Sequence, residues 1–154
     1  MKLDDKNTAM MAALAQARAA FEADEVPVGA VITHHPSGAI IAAAHNQTEQ
    51  RQDCTAHAEM LAIAAAQKHL GQKSLGDCDI WVTLEPCAMC ATAISHARIA
   101  RVYYGAADPK SGGIGQGARI FDQPQTHHKP EVYDGIAAEP CEDLLKSFFQ
   151  SRRV

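Results

Sequence analysis

Two short stretches of the chain, His57-Ala58-Glu59 and Pro86-Cys87-Ala88-Met89-Cys90, bring together one imidazole, two thiols and a carboxylate. Imidazole and thiolate are ligands that zinc prefers, and three protein ligands leave a tetrahedral ion one position short, which catalytic sites keep for water. Water at that position has its pKa lowered to about 7 and becomes a usable nucleophile at neutral pH. Glu59 would stand beside the metal as a group free to move protons. The chemistry open to these residues together is hydrolysis at a zinc centre, with one zinc per chain held by His57, Cys87 and Cys90.

The spacing says which elements must position them. Cys87 and Cys90 are three apart, so at the start of a helix they share a face. Pro86 suits the first helical position, where a missing N–H costs nothing. His57 and Glu59 are two apart and would diverge inside a helix, so they converge only if the metal lies off the helix end. Asp53 and Thr55 are candidate caps just upstream, and the apolar run Met60 to Ala66 follows. The metal is therefore expected between the N-termini of two helices, whose positive ends favour thiolate. Cys54 leaves a second arrangement open, because Cys54-x-x-His57 with Cys87-x-x-Cys90 would make a closed structural Cys3His site. In that arrangement Glu59 has no task beside the metal, and Cys54 lies before the presumed helix.

Around these motifs the pattern is that of an α/β chain. An Ala-rich segment from about Thr8 to Ala23 reads as a helix, with Met11, Leu14, Ala17 and Phe21 near one face. Val28 to Thr33 and Ile40 to Ala44 read as strands joined at His35-Pro-Ser-Gly38, a turn signal, and so form a hairpin. A helix from about Ala56 to Leu70, a strand near Ile80 to Thr83, a helix from Cys87 to His96 and a strand from Arg101 to Gly105 follow. Asp108 to Gly117 reads as a loop, and Glu139 to Arg152 as a final helix. This order predicts a three-layer α/β/α sandwich, with helices on both faces of a mixed sheet of about five strands.

At 154 residues and 47% hydrophobic content, the chain has material for one domain, 1–154, with a substantial core. Trp, Tyr and Phe together number eight, so that core must rest on Ala, Val, Ile and Leu. No apolar run approaches the roughly 20 residues needed to span a membrane. Met1-Lys-Leu-Asp-Asp5 has no long apolar stretch behind it, which argues against a signal peptide. Five cysteines, an odd number with two in metal-ligand spacing, favour a reducing cytoplasm, with Cys78 and Cys141 as small buried thiols.

The combined pattern H-x-E…P-C-x-x-C is the zinc deaminase signature, in which the Glu moves protons and is not a ligand. Glu25-Val-Pro-Val-Gly-Ala-Val31, His45-Asn46, Thr55-Ala-His-Ala-Glu59, Val82-Thr-Leu-Glu-Pro-Cys87, Ala107-Asp-Pro-Lys110 and Phe148-Phe149 extend the match. On these stretches the chain resembles the bacterial tRNA adenosine deaminases of the cytidine deaminase superfamily, over nearly its whole length. The resemblance implies a cytidine deaminase-like fold and conversion of adenosine to inosine at the wobble position of a tRNA anticodon stem-loop. It implies Glu59 as the proton carrier and Asn46 as a hydrogen-bonding partner of the extruded nucleoside. Val28, Ala58 and Pro86 would line the pocket, and Asp108 and Lys110 would approach flanking nucleotides. Phe149 is a candidate stacking ring or a core residue, and a homodimer is expected.

Free-base deaminases acting on guanine or cytosine share much of this framework, so a free nucleobase is the alternative substrate. A noncatalytic zinc-stabilised RNA-binding module is a third reading, and it requires Cys54 as a ligand. The formal charge of −4 opposes phosphate binding overall. Lys110, Arg119, Lys129, Lys146, Arg152 and Arg153 are nevertheless available to gather into a local patch. His34 and His35 are expected on the surface at the turn, His96 near the end of the second metal helix, and His127-His128 either at RNA or free.

Overall fold

A computed structural model describes residues 3–152; Arg153, part of the expected basic set, lies outside the described residues. Strands β1 (Gly29–His34), β2 (Ile40–His45), β3 (Cys78–Leu84), β4 (Arg101–Ala106) and β5 (Glu131–Tyr133) form one sheet in the order β2-β1-β3-β4-β5. β1 runs antiparallel to β2 and β3, whereas β3, β4 and β5 are parallel. Side chains alternate across it. Ala30, Ile32, Ile80, Val82, Val102 and Tyr104 pack with α3 (Ala58–Leu70) and α4 (Ala88–His96). Val31, Trp81 and Tyr103 face the other way, against α1 (Leu3–Glu22) and α5 (Ala138–Arg152). The expected three-layer sandwich on a five-stranded mixed sheet is thus the observed one. Both faces of β1 and β3 are covered, which is why these strands read as continuous apolar runs.

The hairpin turn forms where His35-Pro-Ser-Gly38 places it, with Gly38 at φ +70° donating its N–H to the His34 carbonyl. His35 is more than a surface residue: its Nε2 lies 2.7 Å from the buried Asp79 carboxylate, which also accepts from Arg101 Nε. Two elements were not expected, α2 (Thr48–Arg51) and a 3-10 turn at Ile120–Asp122, and the fifth strand falls at Glu131–Tyr133. Among the described residues no helix is long and apolar enough to cross a membrane.

On α1, Met10, Ala13, Leu14 and Ala17 are buried, the i, i+3, i+4, i+7 recurrence of a core-facing stripe. Met11 was expected on that stripe but is 52% exposed, because it stands about 100° around the helix from Met10. Small residues let α1 come close to β1. A Cβ placed on Gly29 would lie 2.0 Å from the Ala13 carbonyl oxygen and 2.6 Å from the Ala17 nitrogen, both backbone atoms. Gly29→Ala must therefore lift α1 off the sheet, and we expect it to lower stability by about 1–3 kcal/mol, read as a reduced urea midpoint.

Candidate active site

α3 and α4 begin beside each other, and neither is capped by its own N-cap side chain. His57 is the N-cap of α3 (φ −74°, ψ 151°) and Cys87 that of α4 (φ −70°, ψ 175°). Both helices therefore start later than expected, at Ala58 and Ala88, and Pro86 precedes the N-cap instead of opening the helix. An extended N-cap residue projects its side chain across the helix end, so His57 and Cys87 reach the same point. Asp53 and Thr55, the expected caps, bond each other instead, Thr55 donating both its N–H and its hydroxyl to the Asp53 carboxylate. The capping task passes to Asn46, whose Oδ1 accepts the Ala58 N–H at 2.8 Å from twelve residues upstream.

Three donor atoms converge there: one ring nitrogen of His57 and the sulfurs of Cys87 and Cys90, all within 4.8 Å of one another. Zinc bonds of about 2.0–2.1 Å to nitrogen and about 2.3 Å to sulfur, at tetrahedral angles, demand N···S edges of about 3.6 Å. His57 Nδ1 stands 3.6 Å from Cys87 Sγ and 3.4 Å from Cys90 Sγ. Donor set and spacing therefore fit zinc. Cys54 is exposed and is not in the group, so the closed Cys3His arrangement does not form.

Protons in this cluster are shared. A hydrogen bond with the Cys90 thiol holds Cys87 down to about 4, whereas that bond and burial push Cys90 up. His57 is raised by its bond to Cys87, against burial. Metal binding displaces such protons. Glu59, in the first turn of α3 and 4% exposed, has its carboxyl pushed up to about 7, chiefly by burial and partly offset by the charge on His57. It also bonds Cys90, so it lies against the donor set without joining it.

Of the expected substrate residues, Ala58 and Pro86 adjoin the zinc-ligand candidates in the chain, whereas Asp108 and Lys110 lie on a groove. Val28 is buried and accepts the Asn46 N–H at 3.1 Å, tying the 26–28 segment to the end of β2. Ala58 is buried at the start of α3, and the Pro86 carbonyl accepts the Gly113 N–H. Asp108 and Lys110 line a groove of about 870 Å³ together with Val26, Lys146, Phe149 and Arg152; the three zinc-ligand candidates lie outside its walls. Phe149 is 48% exposed on that groove, whereas Phe148 is the core residue. Of the expected basic set, Lys110, Lys146 and Arg152 meet in the groove, with Arg152 bonded to Asp24 and lying over the Phe148 ring. Lys129 pairs with Asp122 and, like Arg119, does not line the groove. His128 is not free, since its Nε2–H donates to the Ile99 carbonyl at 2.7 Å, and His96 is exposed in the last turn of α4.

Two buried carboxylates, Glu25 and Glu85, stand beside the site with no role read from the sequence. Glu25 accepts from the Glu49 and Gln50 N–H groups and caps α2 in the segment between Asn46 and His57. The available signal was an acid abutting an apolar run, Glu25 before Val-Pro-Val and Glu85 after Val-Thr-Leu.

Residues 4–153 match the MafB19-like deaminase family. The tRNA-specific adenosine deaminase of Agrobacterium fabrum (strain C58) is 50% identical over 145 residues, covering 94% of each chain. A solved structure from studies of A-to-I editing by tRNA:A34 deaminases at the wobble position of transfer RNA superposes with a TM-score of 0.88. It is 50% identical and covers 90% of this chain and 99% of that one. Guanine deaminase from Bacillus subtilis is more distant, with a TM-score of 0.65 and 34% identity, covering 86% of this chain and 85% of that one. At half identity along almost the full length of its relatives, the protein belongs to the tRNA-specific adenosine deaminase family.

Proposed function

We infer that the protein is a single zinc-dependent deaminase domain, 1–154, that converts adenosine to inosine at the wobble position of a tRNA anticodon stem-loop. The observation that carries the chemistry is a buried carboxylate, Glu59, set against a His-Cys-Cys donor set of zinc dimensions. His57, Cys87 and Cys90 would hold the ion, which when bound supplies Lewis acidity and brings the pKa of water to about 7. Glu59 takes the proton of the attacking water and delivers it to the ring nitrogen beside carbon six of adenine. It then takes the second proton, from the hydroxyl now on carbon six, and hands it to the exocyclic amine, which leaves as ammonia while the carbonyl of inosine forms. One carboxylate serves both steps because it gains and loses a proton within one cycle, and burial suits it to hold that proton near neutral pH.

The remaining residues hold the substrate. With its oxygen committed to Ala58, Asn46 presents its amide N–H groups to the nucleoside. Val28, Ala58 and Pro86 wall the base. Along the groove, Asp108 and Lys110 meet flanking nucleotides, Lys146 and Arg152 face phosphates, and Phe149 offers its ring to an unstacked base. A cytoplasmic homodimer completes the reading. All five cysteines are free, which suits a reducing compartment, and the family resemblance supports the second subunit. A free nucleobase is the second reading, favoured by the likeness to guanine deaminase.

A wobble-adenosine stem-loop incubated with the protein should accumulate inosine, whereas free guanine and cytosine should release no ammonia. Glu59→Ala should lower kcat by about 10³-fold, within the range for a lost general acid–base, with zinc still at one per chain by elemental analysis. Cys54→Ser should keep that zinc and Cys90→Ser should lose it.

A further inference from the structure

Glu85 is 2% exposed, follows the last residue of β3 and lies two residues before Cys87. Its Oε1 accepts the Asp108 N–H at 3.0 Å, and its Oε2 accepts three more, from Ile114 (3.1 Å), Gly115 (2.9 Å) and Gln116 (3.1 Å). One carboxylate thus closes both ends of the loop that carries Asp108 and Lys110. The loop backbone is seated directly on it: a Cβ at Gly112 would stand 2.5 Å from the Glu85 carboxyl carbon. Gly113 packs equally closely on the start of α4, where a Cβ would lie 2.5 Å from the Ala88 nitrogen. Between these points Cys87 bridges to Gly112, and Gly113 donates to the Pro86 carbonyl. The loop tip is closed separately, Asp108 Oδ1 accepting from Lys110 and Ser111.

We propose that Glu85 is a positioning residue that fixes the 108–116 loop to the Cys87 turn, so that the groove wall is already ordered when a polynucleotide arrives. The proposal rests on the RNA reading above. A loop held in its binding conformation has less entropy to lose on association, so the clamp acts on substrate affinity and leaves proton transfer to Glu59. Only a carboxylate suits the place. Glutamine must turn its NH2 either toward the Asp108 N–H or toward the other three, leaving donor against donor in a buried site.

The test is Glu85→Gln assayed on the wobble-adenosine stem-loop. Losing one charge-assisted bond should raise KM about tenfold, with kcat changed by less than about threefold. Zinc should stay at one per chain, and Glu85→Asp should recover part of the lost affinity. An unchanged KM with a fallen kcat, or lost zinc, would mean that Glu85 merely supports the metal turn and would overturn the proposal. Amide exchange in the wild-type protein decides the matter even if Glu85→Gln does not fold. The Asp108, Ile114, Gly115 and Gln116 amides should exchange at one shared rate, at least about tenfold slower than Lys110 and Ser111. Exchange of residues 114–116 as fast as Lys110 would sink the clamp. If the wild type leaves the stem-loop unedited, the RNA reading fails, and the exchange rates alone judge the clamp.

Discussion

The parallel pairing of β3 with β4 governs everything around the site. Parallel neighbours need a crossover, and here α4 supplies it on the face shared with α3. The link from β3 to α4 is only Glu85-Pro86-Cys87, so α4 begins at the carboxyl end of the sheet, where open α/β sheets bind their ligands. α3 starts at the same place because the end of β2 delivers Asn46 to its first free N–H. The two helix ends converge through sheet topology. The N-caps then turn His57 and Cys87 across the gap.

That dependence explains which features were legible in the chain. Cys87-x-x-Cys90 and His57-x-Glu59 are local, so ligand types, spacing and the need for a helix end could all be read. The hairpin and the two long central strands announce themselves through apolar runs and the turn at His35-Pro-Ser-Gly38. β5 could not be read, since Glu131, Val132 and Tyr133 are all exposed and owe their order to β4. α2 has no buried residue and is held by Glu25, more than twenty residues earlier. The same nonlocality hid Asn46 as the cap of α3 and Glu85 as the anchor of the 108–116 loop. A carboxylate collecting N–H groups from thirty residues away leaves no periodicity to detect.

Charge follows a similar division between the whole and the part. The chain is acidic overall, yet α5 sorts its charges along its axis, with Glu139, Glu142 and Asp143 early and Lys146 and Arg152 late. The helix dipole favours that polarity. It also places the cations at the end that borders the groove and leaves the acids away from it. The field a phosphate meets is set by charges within about a Debye length, about 8–10 Å, so the formal total of −4 is a poor guide to this surface.

On the opposite face, the aromatic column has an optical consequence. Trp81 is the single tryptophan, stacked on Tyr103 with ring centres 3.8 Å apart and planes within 5°, and Tyr103 stacks in turn on Tyr133. The Trp81 N–H is fixed to Thr33, so the indole has one orientation. Rings held this way couple their electronic transitions, and the column is a chiral chromophore built into the middle of the sheet. It belongs to the layer of α1 and α5, on the face opposite α3 and α4. Near-ultraviolet dichroism from this column will therefore report chiefly the packing of that layer, with Tyr104 the tyrosine that reports on the other face.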